Sequence, residues 1–179
     1  GDSTRWVSVT EQGGIVASVT GSCSNGEAAV TAEEAEDTAA QFLAGRFDGE
    51  FAVLSVSEQP GAFAFTFAPV ENDILLLPDT ISVTVDAATG EVCACSAANY
   101  ILYHGEREAL APAVDEESAA AVVSSSLTIE DSRLVLTRSD GGDEALCWEF
   151  ACTDGDGNPV YVFVDAEMGR EVKIELART

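Results

Sequence analysis

A strand–turn–strand motif occurs twice in the chain, and this duplication limits the fold more than any other feature of the sequence. Val83-Thr-Val-Asp86-Ala-Ala-Thr-Gly90-Glu-Val92 returns as Val162-Phe-Val-Asp165-Ala-Glu-Met-Gly169-Arg-Glu-Val172, an offset of 165 − 86 = 79. Self-similarity at a fixed spacing marks copies of one supersecondary unit. Upstream, Phe63-Ala-Phe65-Thr-Phe67 lies over Leu146-Cys-Trp148-Glu-Phe150 at an offset of 146 − 63 = 83. Each has the apolar alternation of a strand with one buried face. At the same offset Phe51 and Val53 match Leu134 and Leu136, and Glu33-Glu34 match Glu116-Glu117. The drop from 83 to 79 places a four-residue length difference in one loop, Ala68 to Thr80 in the first copy and Ala151 to Val160 in the second.

A third trace precedes these copies. Val7-Ser-Val9-Thr-Glu-Gln-Gly-Gly14-Ile-Val16 reads as the same hairpin, with Val9 and Gly14 over Val85 and Gly90 at an offset of 85 − 9 = 76. Residues 5 to 20 are therefore expected to be the tail of a truncated earlier copy. The absence of an initiating Met fits a sequence that begins inside a longer protein.

Helix signals open each full copy. Thr31-Ala-Glu-Glu34 is a capping box, in which the threonine and glutamate side chains satisfy free amides at a helix start. Ala35, Ala39, Phe42 and Leu43 then form one helical face ending near Gly45. Asp115 caps the corresponding stretch with Ala119, Val122, Val123 and Leu127. Turns are expected at Pro60-Gly61, Thr89-Gly90, Gly141-Gly142 and Met168-Gly169. The expected fold class is α+β, two tandem units each with a helix packed on a small antiparallel sheet. The predicted organisation is residues 1–26 as terminal hairpin and linker, 27–98 as unit 1, 99–112 as connector and 113–179 as unit 2.

Charge excludes several function classes. Eight basic residues against 32 acidic ones leave a net charge of −24, which cannot supply the phosphate neutralisation that nucleic-acid affinity needs. It also opposes docking on an anionic membrane. Apolar runs such as Ile74 to Leu77 are far shorter than the ~20 residues that cross a bilayer. Five cysteines, an odd number, rule out a complete disulfide framework within the chain. Cys93 and Cys95, two apart on a strand, are read as small buried hydrophobes. Gly21 to Gly26 reads as a flexible linker in which Cys23 has no basic neighbour to activate it.

Catalytic constellations are scarce. With one histidine, His104, and one lysine, Lys173, the chain cannot assemble a metalloprotease helix, a P-loop or a Ser-Lys pair. Tyr100, His104 and Arg107 would share one helical face in the connector, a candidate binding surface that seats one unit against the other. Asp86 and Asp165 occupy equivalent turn positions and are expected to shape those turns. Asp154-Gly-Asp156-Gly-Asn158 begins like a calcium loop, but Pro159 stands where the sharp turn needs glycine and Asp165 where the terminal Glu belongs. Asp154, Asp156 and Asn158 are thus a weak metal candidate in a hairpin loop. The chain is expected to be non-catalytic, without a cofactor.

A helix opened by acidic residues, alternating strands and a closing Val-Asp-Ala-x-x-Gly hairpin resemble the PepSY domain. The series from Tyr100, His104 and Arg107 through Leu134-Val-Leu136 and Leu146-Cys-Trp148-Glu-Phe150 to Tyr161-Val-Phe-Val164-Asp165-Ala166 is similar to the C-terminal half of the YpeB family of spore germination proteins. That resemblance implies PepSY repeats outside the inner spore membrane, carried on a membrane anchor N-terminal to this segment. It also implies a partner, the SleB-like cortex-lytic peptidoglycan hydrolase, which the repeats stabilise or restrain, and it brings no catalytic residues. The alternative within the PepSY class is an extracytoplasmic peptidase inhibitor or propeptide-like chaperone. On either reading, exposed sheet edges or a groove between the units are expected to grip the partner, with the acidic surface selecting a basic face.

Overall fold

Helix formation starts where the capping signal predicts. In the computed structural model, which describes residues 5–24, 26–108, 110–138 and 142–176, α1 spans Ala32–Ala44 and Thr31 is its N-cap. The Thr31 hydroxyl accepts from the Glu34 amide, and the Glu34 carboxylate accepts from the Thr31 amide at 2.9 Å. Gly141 of the predicted Gly141-Gly142 turn lies outside the described residues, as do Asn25, Ala109 and both chain ends. The protein mixes helix and sheet, with strands dominating. Two compact units divide the chain, Gly1–Glu71 with Pro78–His104 and Asn72–Leu77 with Gly105–Thr179.

In unit 1, β1 (Trp6–Val9) and β2 (Val16–Thr20) form the N-terminal hairpin. After α1 come β3 (Glu50–Gln59), β4 (Ala62–Glu71), β6 (Ile81–Asp86) and β7 (Val92–Ser96). The strand order is β1-β2-β7-β6-β4-β3, all antiparallel. Ala35, Ala39 and Leu43 of α1 lie on Phe63, Phe65, Phe67, Ile81, Val83 and Val85. The alternation read in the sequence therefore supplies the sheet's buried face.

In unit 2, β5 (Ile74–Leu76) runs parallel to β8 (Thr128–Arg138). β9 (Glu144–Thr153), β10 (Pro159–Asp165) and β11 (Glu171–Leu176) follow in antiparallel order. The helix of this unit, α3 (Glu116–Ala120), has Asp115 as N-cap but is five residues long. Val123 and Leu127, predicted as its continuation, pack on the core from turns. A second, shorter helix, α2 (Ala98–Tyr103), lies in unit 1.

The pairings correct the sequence alignment of the copies. Thr31 and Asp115 are equivalent caps, and Ala35 and Ala119 equivalent buried positions, at an offset of 119 − 35 = 84 rather than 83. Phe65 faces Val83 and Phe150 faces Val162, so the second strands correspond at 150 − 65 = 85. An even slip keeps every residue on its face, so alternation alone cannot detect it. In the strands before these, the register shifts at Leu54 between Val53 and Ser55 and at Glu130 between Ile129 and Asp131, an offset of 130 − 54 = 76. Leu127 is then the counterpart of Phe51, while Leu134 falls on Glu58 (134 − 76) and Leu136 on Pro60 (136 − 76), in the turn that ends β3. Both leucines belong to an extended β8–β9 hairpin, where Leu136, Leu134 and Leu146 pack on Ile74 and Leu76 of β5. The loop difference after the second strands is 85 − 79 = 6 residues, not four, and the longer loop contains β5.

The hairpin itself is repeated three times. Its register slips by one residue at Ala17, Cys93 and Val172. Gly14, Gly90 and Gly169 share a left-handed φ of 63°, 70° and 63°, a conformation that glycine adopts without steric cost. The amides of Thr10, Asp86 and Asp165 donate to the carbonyls of Ile15, Glu91 and Arg170.

Candidate functional site

The predicted connector face is divided between two environments. α2 ends at Tyr103, and His104 has extended backbone angles, so Tyr100 and His104 share a turn and Arg107 lies beyond it. The shared helical face is therefore corrected: a helix of six residues is too short to carry all three. The His104 ring stacks on Tyr100 with centroids 4.1 Å apart. Its Nδ1 is 2.9 Å from Oδ2 of the fully buried Asp79, and its Nε2 is 3.8 Å from Glu71 Oε1. Tyr100 also packs edge-on against Phe47. Burial, followed by the charges of Asp79, Glu71 and Asp48, pushes the Tyr100 hydroxyl above its ordinary pKa. A carboxylate orienting a histidine is half of a nucleophile-activating arrangement. Among the described residues no serine or cysteine bonds the other ring nitrogen, and the cluster anchors α2 to the Leu77–Asp79 turn.

Arg107 belongs to unit 2. Its guanidinium makes a two-pronged bond to Glu144, with Nε to Oε2 at 3.0 Å and Nη2 to Oε1 at 2.8 Å. This bond holds the Glu144 carboxyl below its usual range. Beside it a cleft of about 580 Å³ is lined by Arg107, Leu110, Leu136, Leu146 and Asp165. By the offset of 84, Arg107 is the counterpart of Cys23 (107 − 84), and both tether the segment that leads into their unit's helix.

The tether in unit 1 is a disulfide, Cys23–Cys93. Cys93 is buried as the sequence predicts, but it is bonded to Cys23 rather than a free small hydrophobe, and Gly21 to Gly26 is tethered rather than a flexible linker. The pairing was hidden because the partners are 70 residues apart in sequence. Cys93 sits at the register slip of its hairpin, where the other two hairpins have Ala17 and Val172. Cys95, Cys147 and Cys152 are free. Around the disulfide the Gly21 amide donates to the Cys93 carbonyl, and Ser24 donates to Asp86 from both its amide and its hydroxyl.

Asp86 therefore does more than shape its turn. Burial alone would raise its pKa, but bonds from Ser24 and from the Thr89 and Ala88 amides outweigh that effect and lower it from 3.8 to about 2. A depressed carboxyl contributes stability above its unfolded pKa, and this is lost as pH falls through the folded value. Stability is expected to fall between pH 4 and 2, and Asp86→Asn should remove part of that slope; urea midpoints across this range check it. The side chain of Asp165, the equivalent residue, accepts from the Glu167 and Met168 amides.

The calcium-loop candidate closes on itself. One oxygen of Asp154 accepts from the Asp156 and Asn158 amides, and the other accepts from Asn158 Nδ2 at 3.0 Å. Asp154, Asp156 and Asn158 make an Asx-type turn between β9 and β10. No cluster of metal-ligating side chains occurs among the described residues.

The protein is a mixed α/β fold of many strands and few helices, in which one hairpin type recurs. The family model described as YpeB sporulation, PepSY1 and PepSY2 domains matches residues 2–110, and the chain belongs to this family. Sporulation protein YpeB of Bacillus subtilis is 30% identical over 62% of the chain and 24% of its own length. Sporulation protein YpeB of Halalkalibacterium halodurans is 25% identical over 82% of the chain and 32% of its own length. The chain thus spans about a third or less of these curated relatives. The Bacillus megaterium YpeB C-terminal domain has the same fold, with a TM-score of 0.84 at 22% identity over 98% of this chain and 77% of that one.

Proposed function

We propose that this chain is the non-catalytic, tandem PepSY part of a spore germination protein that binds a SleB-like cortex-lytic hydrolase and stabilises or restrains it. Membership of the YpeB family carries this reading. The Cys23–Cys93 bond supports a position outside the cytoplasm, on the outer side of the spore inner membrane, because disulfides persist in oxidising compartments. Exposed strand edges support protein binding over small-molecule chemistry, since an unpaired edge is a template for another strand.

The charge of −24 makes the partner's contact face basic, and attraction between exposed charges is screened by salt. A pull-down of the hydrolase on the immobilised chain is expected to succeed, with affinity falling about tenfold or more from low to high salt. An affinity independent of salt would remove charge from the account, and absence of binding at low salt would remove the partner.

A further inference from the structure

We propose that a cleft in unit 1, between the end of α1 and strands β1, β2 and β7, binds an aliphatic carboxylate, a small molecule with one acidic head and a hydrocarbon tail. The proposal goes beyond the reading of this chain as a protein-binding module and does not depend on it. The cleft has a volume of about 440 Å³, within the roughly 300–1,000 Å³ of small-molecule sites. Its floor is one row across three strands, since Val7 lies opposite Val19 and Val19 opposite Cys95. Its wall is Phe42, Arg46 and Phe47. Cys95, Phe42 and Phe47 also pack on the core beneath α1, which fixes the cleft to the body of the unit. Apart from the Cys95 thiol and the Arg46 guanidinium, the lining side chains are hydrocarbon.

Arg46 specifies the head. Arg5, Arg107, Arg133 and Lys173 are paired with Glu91, Glu144, Glu149 and Glu175, whereas Arg46 has no acidic partner among the described residues of a chain with 32 acids. Its Nη1 donates to the Phe42 carbonyl at 3.1 Å, and its guanidinium lies 3.7 Å from the centre of the Phe42 ring. The group is thus held in place at the cleft, and its Nε and Nη2 have no bond among the described residues. Those two nitrogens form the edge that binds a carboxylate through parallel hydrogen bonds. The field of Arg46 reaches the floor, because it opposes the upward push of burial on the Cys95 thiol. The lining specifies the tail. A peptide would bring amides that find no partners against hydrocarbon walls, which costs free energy, and an alkyl chain brings none. The net charge of −24 repels an anion from afar, but salt screens that repulsion beyond about 8 Å at physiological strength, and Arg46 acts in contact.

The test uses the chain as it is, isotope-labelled, at about physiological salt, with octanoate and the uncharged octanol as probes. Octanoate is expected to shift the amide resonances of Val7, Val19 and Phe42 saturably and to slow alkylation of Cys95 by a maleimide. Octanol is expected to bind the same residues about tenfold more weakly, the difference being the charged hydrogen bonds to Arg46. Arg46→Gln, at an exposed position, should bring octanoate down to the affinity of octanol and leave octanol unchanged, and Arg46→Lys should restore part of the difference. Ile15→Asp, on the exposed rim, should weaken both probes. No saturable shift, shifts centred away from the cleft, equal affinity of wild type for the two probes, or an octanoate affinity indifferent to Arg46→Gln would each overturn the proposal. So would a dimer in sedimentation that Ile15→Asp dissociates, which would make a second copy the occupant.

Discussion

Reduction of the Cys23–Cys93 disulfide, or Cys23→Ser, is expected to destabilise the protein by about 4 kcal/mol. The bond closes a loop of 70 residues, and the chain entropy it removes from the unfolded state grows with the logarithm of loop length, reaching about 4 kcal/mol at this size. Release also frees the segment that brings Ser24 to Asp86, so the acid-sensitive component of stability should weaken with it. Urea unfolding with and without a dithiol reductant measures the effect. A thiol count gives an independent check: the denatured, unreduced chain should show three free thiols, those of Cys95, Cys147 and Cys152, and five after reduction. Five before reduction, or an unchanged urea midpoint, would contradict the tether.

The second large effect belongs to the paired phenylalanines. Phe65 and Phe150 are each 1% exposed at equivalent positions of their units, and each lies opposite a fully buried valine. Truncating a buried phenylalanine costs about 3–5 kcal/mol through lost transfer energy and the cavity left behind. Phe65→Ala and Phe150→Ala are both expected to fall in that range. The offset of 83 read from the sequence would instead match Phe65 with Trp148. That residue is only partly buried, and its indole N–H donates to the Val114 carbonyl at 2.8 Å. Urea unfolding of Phe65→Ala, Phe150→Ala and Trp148→Ala compares these positions: a Phe150→Ala cost below about 1 kcal/mol would refute its place in the unit 2 core.

What could be read in advance follows from which signals are local. The capping box at Thr31, the Asp115 cap and the glycine turns of the hairpins depend on residues a few positions apart, and they lie where the sequence places them. Strand register depends on partners far away, and alternation is blind to even slips, so the correspondence of Phe63 with Leu146 is two residues out. The match of Leu134 and Leu136 to Phe51 and Val53 is out by 83 − 76 = 7 residues, an odd slip hidden by the register shift at Glu130, and these leucines pack on β5, a strand within what reads as a loop. Helix length in unit 2 was overestimated because Val123 and Leu127 fit a helical face equally well from successive turns. At the candidate sites, the Tyr100 and His104 rings stack on each other, whereas Arg107 pairs with Glu144. The Cys23–Cys93 tether joins residues 70 apart, and no local pattern links them.

The proposed function is that this chain acts on a cortex-lytic hydrolase by binding it. Its most direct test is the rate at which a SleB-like hydrolase digests spore peptidoglycan, measured with and without stoichiometric chain at low salt, together with the hydrolase's thermal inactivation in the same mixtures. The account predicts a complex in which the rate falls or the hydrolase lasts longer, and in which high salt abolishes the effect. A hydrolase that neither binds nor changes in rate or lifetime would contradict it.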